Sequence, residues 1–223
     1  MKETSRFLHG LSFCILLTLG AASGQILSQN QAQRTVKKNT IISQALPDIR
    51  IRVNEAFIYA GKIDFKIKDI AKGERYILVE TKDRRVNRMF IAQFEGFLPS
   101  NTMTYNYSFQ NALDLSGHRF KQNTFAFSNA EALVKNPSGE AALTAAFLRE
   151  KGFILEDELM ASRYVTVPDS ARRHELILFY VENASATGRR LQEFYQGGEK
   201  TVLWKNLSRE LTLRASKNFE ILK

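Results

Sequence analysis

Apolar and polar residues alternate along much of this chain, and a period of two predicts strands. Val53, Glu55, Phe57 and Tyr59 alternate with Asn54, Ala56 and Ile58, and Ala60-Gly61 breaks the run. Ile63, Phe65 and Ile67 then alternate with Lys62, Asp64, Lys66 and Lys68, giving one dry face and one wet face. A turn at Lys72-Gly73 leads into a strand from Arg75 to Lys82, and Asp83-Arg84 turns the chain into a long strand from Val86 to Leu98. After Pro99-Ser100-Asn101, Met103, Tyr105, Tyr107 and Phe109 alternate with Thr104, Asn106, Ser108 and Gln110, which predicts another strand. A further one runs from about Arg119 to Phe127. The short spacings between these runs favour an antiparallel meander over parallel strands joined by helices.

The period changes at Ser128. Ser128 followed three residues later by Glu131 reads as a helix start, and that helix must stop before Pro137. A second helix begins near Ser138, is rich in alanine, and ends at Gly152. Strands are predicted from Ser162 to Val167 and from His174 to Glu182. In the second, Leu176, Leu178 and Tyr180 point one way and Ile177, Phe179 and Val181 the other, so it reads as a central strand covered on both faces. Arg190 to Tyr195 is taken as a short strand ended by Gly197-Gly198. From about Thr201, Leu203, Leu207, Leu211, Ala215 and Phe219 recur every four residues, a helical stripe. The expectation is an α+β fold: a twisted antiparallel β-meander with two mid-chain helices and a long C-terminal helix packed on one face.

The ends refine this picture. Lys2 and Arg6 precede the uncharged apolar run Leu11–Ala22, and small residues at Ala22-Ser23-Gly24 suit cleavage before Gln25. That pattern predicts a secretory signal peptide over residues 1–24. Its apolar stretch is shorter than the roughly 20 residues that span a bilayer. Residues 25–47, rich in Gln, Asn, Ser, Thr and Lys, read as a flexible leader, and residues 48–223 as a single α+β domain. The expected location is secreted or periplasmic, with no transmembrane span in the mature chain.

Composition removes several chemistries. The one cysteine, Cys14, lies within the signal's apolar run, so disulfides, thiolate catalysis and cysteine-based metal centres are not expected. Outside that segment only His118 and His174 remain, at no ligand spacing, and neither a metal site nor a cofactor is predicted. No nucleophile elbow, phosphate loop or dinucleotide fingerprint occurs. The formal charge of +9 is spread over short clusters such as Arg84, Arg85 and Arg88. Dispersed charge on an exported chain argues against nucleic acid and leaves an anionic surface as a possible partner.

Two features carry candidate chemistry. Glu95 lies mid-strand on a face shared with Ile91 and Phe97, where an ionised carboxylate is costly unless paired. Glu80, between Val79 and Thr81, and Glu182, after Phe179-Tyr180-Val181, are similar. Two such acids facing one cleft would make an acid/base pair of the glycosidase kind. Alternatively, Arg75, Arg88 or Arg163 pairs each of them across strands. Glu80 and Glu95 are the candidate catalytic residues. The second feature is the surplus of aromatics, Phe90, Phe94, Phe97, Tyr105, Tyr107, Phe109, Phe125 and Phe127. On a sheet face left free by helices they need a ligand, a protein partner or the curled sheet itself to cover them. Gln93, Phe97, Tyr105, Tyr107 and Arg88 are the candidate ligand-binding residues. The chain reads as an exported soluble module without enzymatic activity, binding an apolar or amphipathic ligand or an envelope protein through this face. The alternatives are a hydrolase using paired carboxylates and a basic accessory protein binding anionic envelope material.

Overall fold

The computed structural model describes residues 33–222; the expected signal peptide and residues 25–32 of the expected leader lie outside them. The described chain opens with a hairpin, β1 (Arg34–Lys37) and β2 (Thr40–Ser43), which pairs with β3 (Ile49–Val53). This corrects the expected flexible leader over residues 34–43. Its inward row joins Val36 and the fully buried Ile41 to the polar Arg34 and the fully buried Ser43, while Thr35, Lys37 and Thr40 face outward. β3 follows the same rule, with Ile49, Ile51 and Val53 inward and Arg50 and Arg52 outward.

A larger sheet contains β4 (Ile58–Ile67), β5 (Ala71–Lys82), β6 (Arg85–Phe97), β7 (Leu113–Leu115), β8 (His118–Ser128), β9 (Glu158–Thr166) and β10 (His174–Asn183). Its order is β4-β5-β6-β10-β9-β8-β7, antiparallel at every pairing. Two meanders therefore meet: the chain leaves β6, reaches the far edge at β7, and works back until β10 zips against β6. The break expected at Gly61 is instead an irregularity between Tyr59 and Gly61 within a continuous β4. β10 lies between β6 and β9 as its two-sided apolar pattern requires.

Residues 103–109 form no strand. The run is extended but pairs with no ladder, because it crosses the sheet instead of lying beside a strand. Tyr105 N–H donates to Arg172 O at 2.8 Å, and Arg172 returns Nε–H to Tyr105 O at 2.8 Å. Phe109 O, further along, accepts from Arg119 of β8 at 2.8 Å.

Two mid-chain helices follow β8. α1 (Asn129–Lys135) is capped by Ser128 Oγ, which accepts from Glu131 N–H at 3.0 Å, and α2 is Glu140–Glu150. The element expected at Arg190–Tyr195 is a single 3-10 turn, Leu191–Glu193. It leads into the small hairpin β11 (Tyr195–Gln196) and β12 (Glu199–Lys200), whose turn residues Gly197 and Gly198 have φ of +58° and +86°. α3 (Val202–Ser216) is the long C-terminal helix. Phe219, expected to extend its stripe, belongs to β13 (Phe219–Leu222), which pairs with β3.

The large sheet has a core on each face. On one, Tyr76, Leu78, Phe90, Leu178 and Tyr180 pack against the small sheet and against Trp204 and Leu211 of α3. On the other, Ile77, Val79, Met89, Ile91 and Val181 pack against Leu148 of α2. The C-terminal helix and α2 thus take opposite faces. Each mid-sheet strand alternates between these two dry environments, which is why the central strands read as continuously apolar. Among the described residues no helix is long and apolar enough to cross a membrane.

Leu178 is fully buried in the centre of β10. Leu178→Ala is expected to lower unfolding free energy by about 2–5 kcal/mol, read from chemical denaturation.

Candidate functional site

On the α2 side of the sheet, the register brings polar residues together in an apolar setting. Arg75 of β5 stands opposite Gln93 of β6, and Glu95 of β6 stands opposite Glu175 of β10. All four are buried, Arg75 being 4 % exposed and Glu175 4 %. Arg75 uses its whole guanidinium. Nε–H and one Nη2–H donate to Gln93 Oε1, the other Nη2–H reaches Glu140 Oε2 at 2.6 Å, and Nη1 donates to Glu140 O and Thr144 Oγ1 at 2.9 and 2.6 Å. Glu140 and Thr144 lie one turn apart at the start of α2, so this arginine docks the helix onto the sheet. Burial pushes the Arg75 pKa down, and the neighbouring Glu140 and Glu95 oppose that fall.

The Gln93 side-chain amide turns its N–H to Glu95 Oε1. Burial, with the fields of Glu140 and Glu175, pushes the Glu95 pKa up to about 8. Glu175 is also raised, by burial first, against the Tyr107 hydroxyl and the Glu95 carboxyl, which favour its ionised form. Two facing carboxyls in a dry site do not both ionise easily, and Glu95 is the member that keeps its proton. Glu175 Oε2 is buried with no hydrogen-bond partner among the described residues.

The crossing segment roofs this pair. Tyr105 Oη donates to Glu95 Oε2 at 3.4 Å, and burial raises the pKa values of Tyr105 and Tyr107 beside the acids. Ring centroids run 4.5 Å from Phe97 to Tyr105, 6.5 Å on to Tyr107 and 6.4 Å on to Phe109. Such spacings lie in the range of favourable aromatic pairs.

Beyond Arg75 and Glu140 the same face opens into a cavity of about 220 Å³. Met89, Ile91, Ala161 and Val181 form its floor, Phe125, Phe127 and Phe179 its half-buried aromatic wall, and Ala141 and Thr144 its helical side. Arg75, Glu140 and Asn129 supply polar groups at its margin.

The structure brings Glu95, Gln93, Phe97, Tyr105 and Tyr107 into one cluster. Glu80 and Arg88 sit on the opposite face, paired with each other. Arg88 Nη1 also reaches Asn218 Oδ1 at 3.2 Å, and its guanidinium lies 5.4 Å from the Phe57 ring centroid. Glu80 and Glu95 therefore face no common cleft. Phe90 and Phe94 are core residues of that opposite face. Glu182 is held by Arg214, with Nη2 to Oε2 at 2.9 Å. The sequence reading passed over Glu175, Glu140 and Thr144. Glu175 carries the same signal as Glu95, an acid within a strand that is apolar on both faces. Nothing local marks Glu140 and Thr144, because only the docking of α2 brings them to Arg75. Among the described residues no group of three or more His, Cys, Asp and Glu could hold a metal ion.

A carboxyl whose folded pKa lies above its unfolded value binds its proton more tightly when folded. Stability is then greatest at low pH and falls as pH rises. For Glu95 the window runs from about 4.5 to about 8. Denaturation midpoints are expected to decline across that range in the wild type, and Glu95→Gln is expected to flatten the decline. In comparisons with known proteins, no protein-family model, no curated protein and no solved structure matches this chain.

Proposed function

We propose that this chain is an exported, non-enzymatic binding protein for a small amphipathic molecule. The apolar part of the ligand enters the cavity between α2 and the sheet, and its polar end stays at the margin formed by Arg75, Glu140 and Asn129. The observation that carries the reading is the cavity of about 220 Å³ with its three half-buried phenylalanines. Apolar cavities of about 150 Å³ stay dry and take up molecules the size of benzene. Few polar groups at one end and an apolar body elsewhere is also the usual make-up of a small-molecule site.

A second reading has support from the Glu95–Glu175 pair. Two carboxyls with one proton between them at neutral pH are the equipment of an acid/base hydrolase. Their burial beneath Tyr105 and Tyr107 favours the binding reading, since a substrate would have to displace that roof.

The test uses hexanol as an amphipathic probe, with binding followed by NMR. Saturable shifts at Phe125, Phe127 and Phe179 are expected, and Ala141→Trp, which fills the cavity from the helix side, is expected to weaken binding by roughly tenfold or more. Absence of saturable binding, or equal binding by the filled variant, overturns the reading. Where hexanol binds as expected, native mass spectrometry of the protein from its exported fraction identifies the class of ligand it carries.

A further inference from the structure

The opposite face of the large sheet has its own open groove, of about 830 Å³, between the β1–β2 hairpin side and the ends of β4, β5, β6 and β10. It is well within the volume of small-molecule sites. Its floor contains a single cross-strand row. Lys66 of β4 stands opposite Lys72 of β5, Lys72 opposite Gly96 of β6, and Gly96 opposite His174 of β10.

The charges along the rest of the groove are internally matched. Arg34 Nη1 is 3.1 Å from Glu74 Oε2, and Lys62 Nζ is 2.8 Å from Asp64 Oδ1 and 3.8 Å from Glu74 Oε1. No carboxylate among the described residues lies within ion-pair distance of Lys66 or Lys72. Two lysines directly opposite each other in a ladder repel, so the row costs stability with no compensating acid.

His174 completes the row with a fixed ring. Its Nδ1 lies 3.2 Å from Asp169 Oδ2, and Asp169 is itself held by the backbone N–H groups of Arg173 and His174. Burial raises the Asp169 pKa, but these hydrogen bonds outweigh it and keep the carboxylate low. An ionised carboxylate only accepts, so Nδ1 carries a proton and Nε2 is left for the groove. Nε2 has no partner among the described residues and offers its lone pair to the groove. A Cβ on Gly96 would fall 2.8 Å from His174 Cδ2 and 3.3 Å from Nε2, so the ring leans across the glycine toward Lys72. Gly96 is required here for space. Lys72 and His174 are two strand spacings apart, roughly 10 Å between Cα atoms, and the residue between them, Gly96, adds no side chain.

We propose that this row binds a phosphate group between Lys72 and the Nε2 edge of the His174 ring, which Gly96 allows to lie across β6, with Lys66 adding charge from the neighbouring strand. Lysine ammonium groups suit a compact, multiply charged oxyanion, which needs no planar fork to hold it, and a phosphate P–OH can donate to the free Nε2. The site faces away from the apolar cavity, so it stands or falls independently of the binding function proposed above.

The test titrates the full chain with inorganic phosphate, followed by calorimetry and by the His174 ring resonances in NMR. A second arm uses vesicles with and without phosphatidate. Saturable binding of phosphate with movement of the His174 signals is expected, and vesicle binding that requires phosphatidate would identify a lipid headgroup as the source. Lys72→Gln and Gly96→Ala are each expected to weaken affinity by roughly tenfold, the second without any change of charge. Lys205→Gln, an exposed lysine of α3, is expected to bind as the wild type does. Lack of saturable binding in both arms, or an equal loss in Lys205→Gln, overturns the proposal.

Discussion

An arginine held inside the sheet, with all of its N–H groups engaged, is the constraint on which much of this structure depends. Taking a guanidinium out of water costs several kcal/mol even after relaxation, so its partners must be complete and well placed. Arg75 draws them from two elements: Gln93 from the adjacent strand, and the carboxylate, carbonyl and hydroxyl of Glu140 and Thr144 from the first turns of α2. The helix therefore has one position on the sheet that satisfies the arginine. Gln93 then passes the polarity on to Glu95, and Glu95 to Glu175. The cluster is a chain of dependencies in which each group is tolerable only because its neighbour is present.

Sheet order explains why an irregular segment covers this cluster. β6 ends beside β10, but the next strand in sequence is β7, at the far edge. The connection must travel the width of four strand spacings, roughly 19 Å. One face is already occupied by the small sheet and α3. The segment crosses the other, placing Tyr105 by β6, Tyr107 by β10 and Phe109 by β8. Arg172 and Arg173, in the turn before β10, bind its carbonyls and replace the ladder it lacks. The alternation of residues 103–109 is genuine, but here it separates a roof's underside from its outer surface.

That distinction marks how much was legible in the sequence. β5, β6, β8 and β10 follow from period-two patterning, and α1 from the Ser128 cap, because those signals are local. Glu95 stood out for a local reason as well, as an acid between apolar neighbours. The hairpin at residues 34–43 was hidden because its inward row mixes Val36 and Ile41 with Arg34 and Ser43, so the segment is polar in composition on both sides. The placement of Glu80 away from Glu95 follows from parity: Glu80 pairs with Arg88 and Glu95 with Gly73 in one uninterrupted register, which puts the two acids on opposite faces and needs that register to be known. Arg75, Glu140 and Thr144 form a site only through tertiary docking, and no spacing in the sequence encodes it. The positions that resisted reading are those whose role depends on a crossing connection or a packed helix.

The polar cluster and the apolar cavity are mechanically related. A void lined by Phe125, Phe127, Phe179, Met89 and Ile91 would be expected to shrink by inward movement of its least constrained wall. Its floor is a five-strand ladder and cannot move piecemeal. Its movable wall is α2, and α2 is fixed at its N-terminal end by the Arg75 bonds and further along by Leu148 in the adjoining core. Replacing buried ionic groups of this kind with apolar residues is often neutral or stabilising in other proteins. Stability alone therefore gives no reason to retain Arg75 and Glu140 at this point. Their bonds hold the helix at a set height above the phenylalanines, and that height keeps the space between α2 and the sheet open.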